Sequence, residues 1–85
     1  MAEVIQVTTL FFATLRDRAG VRSFEMEIPA QTSVAEYKTI LIEKIPALAD
    51  LLGHALVSVN QEYAFDETMI LNNAEIALFP PVSGG

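Results

Sequence analysis

Gly84 and Gly85 close the sequence behind Phe79-Pro80-Pro81-Val82-Ser83, and their type and position allow chemistry that no side chain of the protein offers. Glycine has no Cβ, so a Gly-Gly end can enter a channel too narrow for other dipeptides and bring its backbone close to a phosphate. Pro80 and Pro81 hold φ at about −65° and favour an extended course. At roughly 3.1–3.4 Å per residue, the stretch from Phe79 to Gly85 reaches about 20–24 Å. No ionisable side chain occurs from Ile76 to Gly85. The terminal carboxylate, with a reference pKa of about 3.3–3.7, is the one charge of that stretch at pH 7. Residues 80–85 are therefore expected to form a projecting tail, with Gly85 as the acyl site and Gly84 as the residue that grants access.

A carboxylate is a poor acyl donor because its leaving group would be an oxide. Activation as an acyl-adenylate, by a partner that binds ATP, removes that obstacle, and a nucleophile can then displace AMP. A sulfur donor gives a glycyl thiocarboxylate, and a protein amine gives an isopeptide. The chain has no cysteine, so the sulfur must come from elsewhere. No cofactor is expected on this chain itself, and ATP belongs to the activating partner.

The remaining residues do not read as an active site. Without cysteine there is no thiol nucleophile, disulfide or thiolate metal site. The one histidine, His54, follows Gly53 in what reads as a solvated loop, and no Ser-His-acid spacing is present. Glu25 with Glu27, and Asp66 with Glu67, read as solvated surface. The glycines Gly20, Gly53, Gly84 and Gly85 do not form a phosphate loop. A net charge of −6, with Arg16, Arg18, Arg22, Lys38 and Lys44 as the cations and no basic run among them, argues against nucleic acid. No segment approaches the roughly 20 apolar residues of a membrane span, and Met1-Ala2-Glu3 lacks the basic region of a secretory signal. A cytoplasmic chain without a membrane partner is expected.

The elements that must carry the tail follow from patterning. Val4 to Phe12 is rich in β-branched and aromatic residues and predicts a strand. Ile5, Val7 and Phe11 lie on one face and Val4, Leu10 and Phe12 on the other, so a central strand apolar on both faces is expected. Ala13 to Ala19 predicts a short helical turn that Gly20 ends. Phe24, Met26 and Ile28 alternate with Ser23, Glu25 and Glu27 in a half-exposed strand that Pro29 stops. Ser33 and Glu36 form a capping-box pattern, and Val34, Tyr37, Leu41 and Ile45 define the buried stripe of the main helix. Pro46 closes that helix and opens a short turn over 47–52. Strands are predicted over Leu56–Asn60 and Ala74–Phe79, with a turn at Asn72-Asn73. Residues 1–85 thus predict one α+β domain, a mixed four- to five-stranded sheet covered by one main helix.

Leu10-Phe11-Phe12-Ala13-Thr14-Leu15-Arg16, Val59-Asn60-Gln61-Glu62-Tyr63 and the closing Phe79–Gly85 heptad resemble the recurring motifs of the small subunits of molybdopterin synthases. The resemblance runs from about Ile5 to Gly85. It departs in a few extra amino-terminal residues and at Asn72-Asn73-Ala74-Glu75, where the family usually has an acidic, glycine-containing turn. It implies a ubiquitin-like β-grasp with the first and last strands parallel neighbours. It also implies a hetero-oligomer in which the catalytic groups belong to a large subunit. A ubiquitin-activating-like adenylyltransferase would activate Gly85 and a sulfurtransferase would supply sulfur. The resulting thiocarboxylate would convert cyclic pyranopterin monophosphate to molybdopterin.

Phe12, Tyr63 and Phe79, with Pro80 and Pro81, are the candidate partner-binding residues, and burial in the core is the competing reading for Phe12 and Phe79. A chain of charge −6 repels an anionic pterin, so a partner must supply the cations that hold it. Two other readings stand beside this one. The first is a sulfur carrier for thiamine synthesis or tRNA thiolation, and the second is a β-grasp binding module that is never adenylated.

Overall fold

The structure is a computed structural model that describes residues 3–81. Strand β1 (Val4–Phe11) leads into helix α1 (Ala13–Ala19), which Gly20 ends in the left-handed conformation, φ 78°, donating its N–H to the Arg16 carbonyl. Strand β2 (Ser23–Pro29) follows, and helix α2 (Val34–Lys44) starts at the Ser33–Glu36 capping box. Pro46 opens a 3₁₀ turn (Pro46–Leu48) that continues into α3 (Ala49–Leu52). Strands β3 (Leu56–Val59), β4 (Glu62–Ala64) and β5 (Ala74–Phe79) complete the chain.

The sheet order is β2-β1-β5-β3-β4. β1 and β5 run parallel at the centre, with Leu10 opposite Ala77, and the other pairings are antiparallel. The parallel pair of first and last elements brings Phe11 and Phe79, distant in sequence, to the same end of the sheet. Asn73 closes the turn before β5 with φ 65°, a conformation that asparagine tolerates. No helix among the described residues is long and apolar enough to cross a membrane.

One face of the sheet holds the core. Val7 and Phe11 of β1, Ile28 of β2, Val57 of β3 and Ile76 and Leu78 of β5 pack there under Val34, Tyr37 and Leu41 of α2. Ile45, expected on the same stripe, is only half-buried because α2 ends at Lys44. Leu48 and Leu52 of the following turns seal the side of this layer.

Two expectations need correction. β1 is not covered on both sides: Val4 is 56% exposed and Phe12 40%, because the helices all pack on one face and leave the other open. The strand expected over Leu56–Asn60 ends at Val59, and a fifth strand, β4, lies beyond a tight turn. The turn residues Asn60 and Gln61 both have positive φ, 51° and 72°, the two-residue geometry that suits the twist of a hairpin.

Candidate functional site: the open sheet face and the root of the tail

Strand alternation and register sort the open face into rungs. Gln6 and Glu27 share one rung, and Thr8 lies between Glu25 and Glu75 on the next. Leu10, Ala77, Ser58 and Tyr63 then lie side by side across four strands. The last rung pairs Phe79 with Leu56, and Phe12 completes it. The face thus runs from acidic to apolar toward the end where the chain leaves β5 for Pro80.

Phe12 owes its position to backbone geometry. It stays extended (φ −124°, ψ 148°) and donates its N–H to the Leu78 carbonyl at 3.2 Å, so it prolongs the β1–β5 pairing by one residue. Ala13 then takes φ 53°, and the chain turns away into α1. A left-handed alanine costs roughly 1–2 kcal/mol, which the burial of Leu15 two residues later helps to offset. The result leaves the Phe12 ring on the open face, stacked on Phe79 with centroids 4.6 Å apart and planes 12° from parallel.

Tyr63 reaches the same face through the β3–β4 hairpin. Asn60 locks that hairpin to β5, donating its N–H to the Glu75 carbonyl at 2.8 Å and accepting the Glu75 N–H on Oδ1 at 2.9 Å. Tyr63 is 77% exposed. Between it and the Phe12–Phe79 stack lies a groove of about 460 Å³, floored by Ala77 and Ser58 and flanked by Leu10.

Of the residues singled out from the sequence, Phe12, Tyr63 and Phe79 therefore meet around one groove. Pro80 is half-buried and Pro81 exposed, both beside that rung. Gly84 and Gly85 lie outside the described residues. His54 is exposed in the turn after α3, Glu25 and Glu27 stand on the open face, and Asp66 accepts the Ala35 N–H through its carbonyl. Among the described residues, no three His, Cys, Asp or Glu side chains gather in a way that could hold a metal ion.

The sequence reading missed Leu10, Leu56 and Ala77 as parts of the open face, because their apolar character reads as core until the single helical layer is assigned to one side. It also missed the approach of two cations. Arg16 and Arg22 line a second, smaller groove with Leu10, Phe11 and Phe12.

The model of the ThiS family matches residues 9–85. The chain belongs to the ThiS family. It is 37% identical over 84 residues to the "Molybdopterin synthase sulfur carrier subunit" of Caenorhabditis briggsae, covering 96% of this chain and 100% of the relative. Among solved structures it resembles SAMP1 from Haloferax volcanii, at 31% identity and TM-score 0.82, over 94% of this chain and 99% of that one. A chain from the complex of subunits 1 and 2 of the Molybdopterin-converting factor of Helicobacter pylori shares the fold at 22% identity and TM-score 0.68, over 95% and 100% of the two chains. The fold is the ubiquitin-like β-grasp expected from the sequence.

Proposed function

We propose that this member of the ThiS family is the sulfur-carrier small subunit of a molybdopterin synthase. The observation that carries the reading is the near end-to-end match to a relative with that name, over 96% of this chain and 100% of the relative. The open apolar rung at the tail root supports it physically. A surface that exposes Phe12, Leu56 and Tyr63 beside half-buried Phe79 suits a partner that covers it, since aromatic side chains dominate interface energetics.

In the proposed cycle the Gly85 carboxylate attacks the α-phosphate of ATP on an activating partner and releases pyrophosphate. A sulfide equivalent from a donor adds to the acyl carbon and expels AMP, leaving a thiocarboxylate. The tail then enters the large subunit, where the thiocarboxylate sulfur bonds to cyclic pyranopterin monophosphate as a thioester, and water cleaves the acyl–sulfur bond, leaving sulfur on the pterin and restoring the carboxylate. This chain contributes the acyl group, a slim tail and the docking face. The activating enzyme and the large subunit contribute the catalytic groups. Assembly with a large subunit is consistent with the Helicobacter pylori chain of the same fold, which was solved in a complex of two subunits. A cytoplasmic setting accords with this chemistry, which draws on ATP.

Reconstitution tests the proposal. The chain is incubated with an activating enzyme, ATP and sulfide, and its intact mass is measured. Replacement of one carboxyl oxygen by sulfur is expected, followed by molybdopterin formation when the large subunit and the pterin are added. No mass gain, or a mass gain without pterin conversion, overturns it.

The likeness to a protein named a small archaeal modifier favours one second reading, transfer of the same acyl group to a protein amine. Gly-Gly remnants on lysines of other proteins after proteolysis would support that reading, and their absence would remove it.

A further inference from the structure

We infer that Arg16 and Arg22 form a carboxylate-receiving pair at the root of the tail, and that the large subunit presents aspartate or glutamate side chains to them. The inference rests on the reading that a large subunit covers the open face.

The two arginines are brought together by the fold around α1. The Gly20 N–H closes that helix onto the Arg16 carbonyl at 2.9 Å, and the chain returns so that the Arg22 carbonyl accepts the Phe11 N–H at 2.9 Å. Both residues thereby flank Phe11 and Phe12, and they line one groove of about 290 Å³ beside the aromatic stack. Both are exposed. The ion pairs among the described residues engage other cations: Arg18 with Asp50 at 3.5 Å and Lys38 with Asp66 at 3.9 Å. Asp17 lines the adjoining groove with Arg16 and Arg22 but forms no ion pair with either.

Of the five cations, Arg16, Arg22 and Lys44 form no ion pair among the described residues, and the first two share one groove. Arg16 and Arg22 lie together beside Phe12 at the tail root, while Glu25, Glu27 and Glu75 stand on the open face at the other end of the sheet. Charge is therefore placed unevenly between the two ends of the sheet, and the net charge alone describes it badly. A partner that seats on Phe12 and Phe79 also removes water from the neighbouring guanidinium groups. An uncompensated charge there is costly, so the partner must supply acceptors. Planar guanidinium groups match carboxylates with paired hydrogen bonds.

The pterin phosphate is not a suitable acceptor. It meets Gly85, and the tail separates that point from Phe79 by up to about 20–24 Å. The partner surface is thus predicted to carry acids around the mouth of the tail channel and bases opposite Glu25 and Glu75. This arrangement fixes the direction in which the small subunit docks.

The test measures affinity and association rate of the full chain with the large subunit at low and high salt. The variants are the double substitution Arg16→Glu, Arg22→Glu, the control Arg18→Glu and the docking control Phe12→Ala. Melting curves confirm that each is folded. The double reversal is expected to weaken binding by about tenfold or more at low salt, with the difference shrinking as salt rises. Arg18→Glu, on a residue already committed to Asp50, is expected to change it by about threefold or less. A partner carboxylate changed to lysine is expected to recover binding of the double reversal. Unchanged binding by the double reversal, while Phe12→Ala weakens it, overturns the arginine inference alone. No binding by the unsubstituted chain overturns the docking reading and the inference with it.

Discussion

Phe12 and Phe79 stack ring on ring at 4.6 Å, at the point where β1 gives way to α1 and β5 gives way to Pro80. Their sequence neighbours Phe11 and Leu78 are buried on the opposite face of the same two strands, at 2% and 0% exposure. On the proposed docking reading, stability and partner binding are carried by alternate residues of one strand pair, and substitution can separate them. Phe11→Ala is expected to cost about 3–5 kcal/mol of stability, as for a buried phenylalanine. Phe12→Ala is expected to cost distinctly less stability but about 2 kcal/mol or more of affinity for the large subunit. Paired melting and titration measurements check this. Equal stability losses at the two positions would assign Phe12 to the core.

Tyr63 gives the cleaner docking test because it is 77% exposed. Tyr63→Ala is expected to change stability by no more than about 0.5 kcal/mol, within the range of surface substitutions. Loss of affinity by calorimetry, with an unchanged melting temperature, is the expected result. An unchanged affinity would remove Tyr63 from the partner surface.

The tail predictions concern residues beyond the described region and rest on chemistry. A chain ending at Gly84 is expected to keep its melting temperature and to lose sulfur transfer. Gly84→Val adds a branched Cβ next to the acyl carbon, and adenylation or insertion into the synthase is expected to fall sharply. Single-turnover assays of each step locate the defect. Normal turnover by Gly84→Val would mean that the channel is not narrow.

Much of this arrangement was legible in the sequence. The capping box at Ser33 and the Val34–Tyr37–Leu41 stripe announced α2, and Pro29 and Pro46 marked the ends of their elements. The Asn60-Gln61 hairpin was not legible. It uses positive φ at two residues without the glycine that normally signals such a turn, so β4 and the placement of Tyr63 were obscured. Thr9 shows a second limit. It is fully buried between Val7 and Phe11, although its polarity reads as an interruption of the apolar face. The approach of Arg16 and Arg22 depends on the reversal at Gly20, and no local pattern encodes it.

The α2 cap makes a pH prediction. Glu36 Oε1 accepts the Ser33 N–H at 3.0 Å and the Ser33 hydroxyl at 3.1 Å, and these bonds hold its carboxyl below the ordinary 4.5. A carboxyl whose folded pKa lies below its unfolded value contributes fully above that unfolded value, and the contribution is lost as pH falls through the folded one. Melting temperature is therefore expected to decline below about pH 4.5 more steeply for the unsubstituted chain than for Glu36→Gln, whose amide oxygen still accepts from Ser33. Ser33→Ala is expected to cost about 1 kcal/mol at neutral pH. Parallel acid limbs for the unsubstituted chain and the Glu36→Gln variant would show that the cap does not contribute to acid sensitivity.

Tyr37 sits at the centre of the core with 0% exposure, and its hydroxyl has no hydrogen-bond partner among the described residues. Burial pushes the phenol well above its ordinary pKa, so the side chain stays neutral throughout the range in which the protein folds. A buried hydroxyl without a partner costs about 1–3 kcal/mol relative to its hydrated state, whereas the ring supplies the packing. Tyr37→Phe keeps the ring and removes the stranded group. It is expected to raise stability by about 1 kcal/mol, equivalent to about 4–8 °C in a domain of this size. Thr9→Val removes a second hydroxyl that is buried without a partner among the described residues, with little change of shape, and the same sign is expected. Tyr37→Ala, which also opens a cavity, is expected to lose about 3–5 kcal/mol. Thermal melting at pH 7 distinguishes the terms. If Tyr37→Phe melted several degrees lower than the unsubstituted chain, the hydroxyl would have to be satisfied inside the core, and its stabilising partner would then be a buried water.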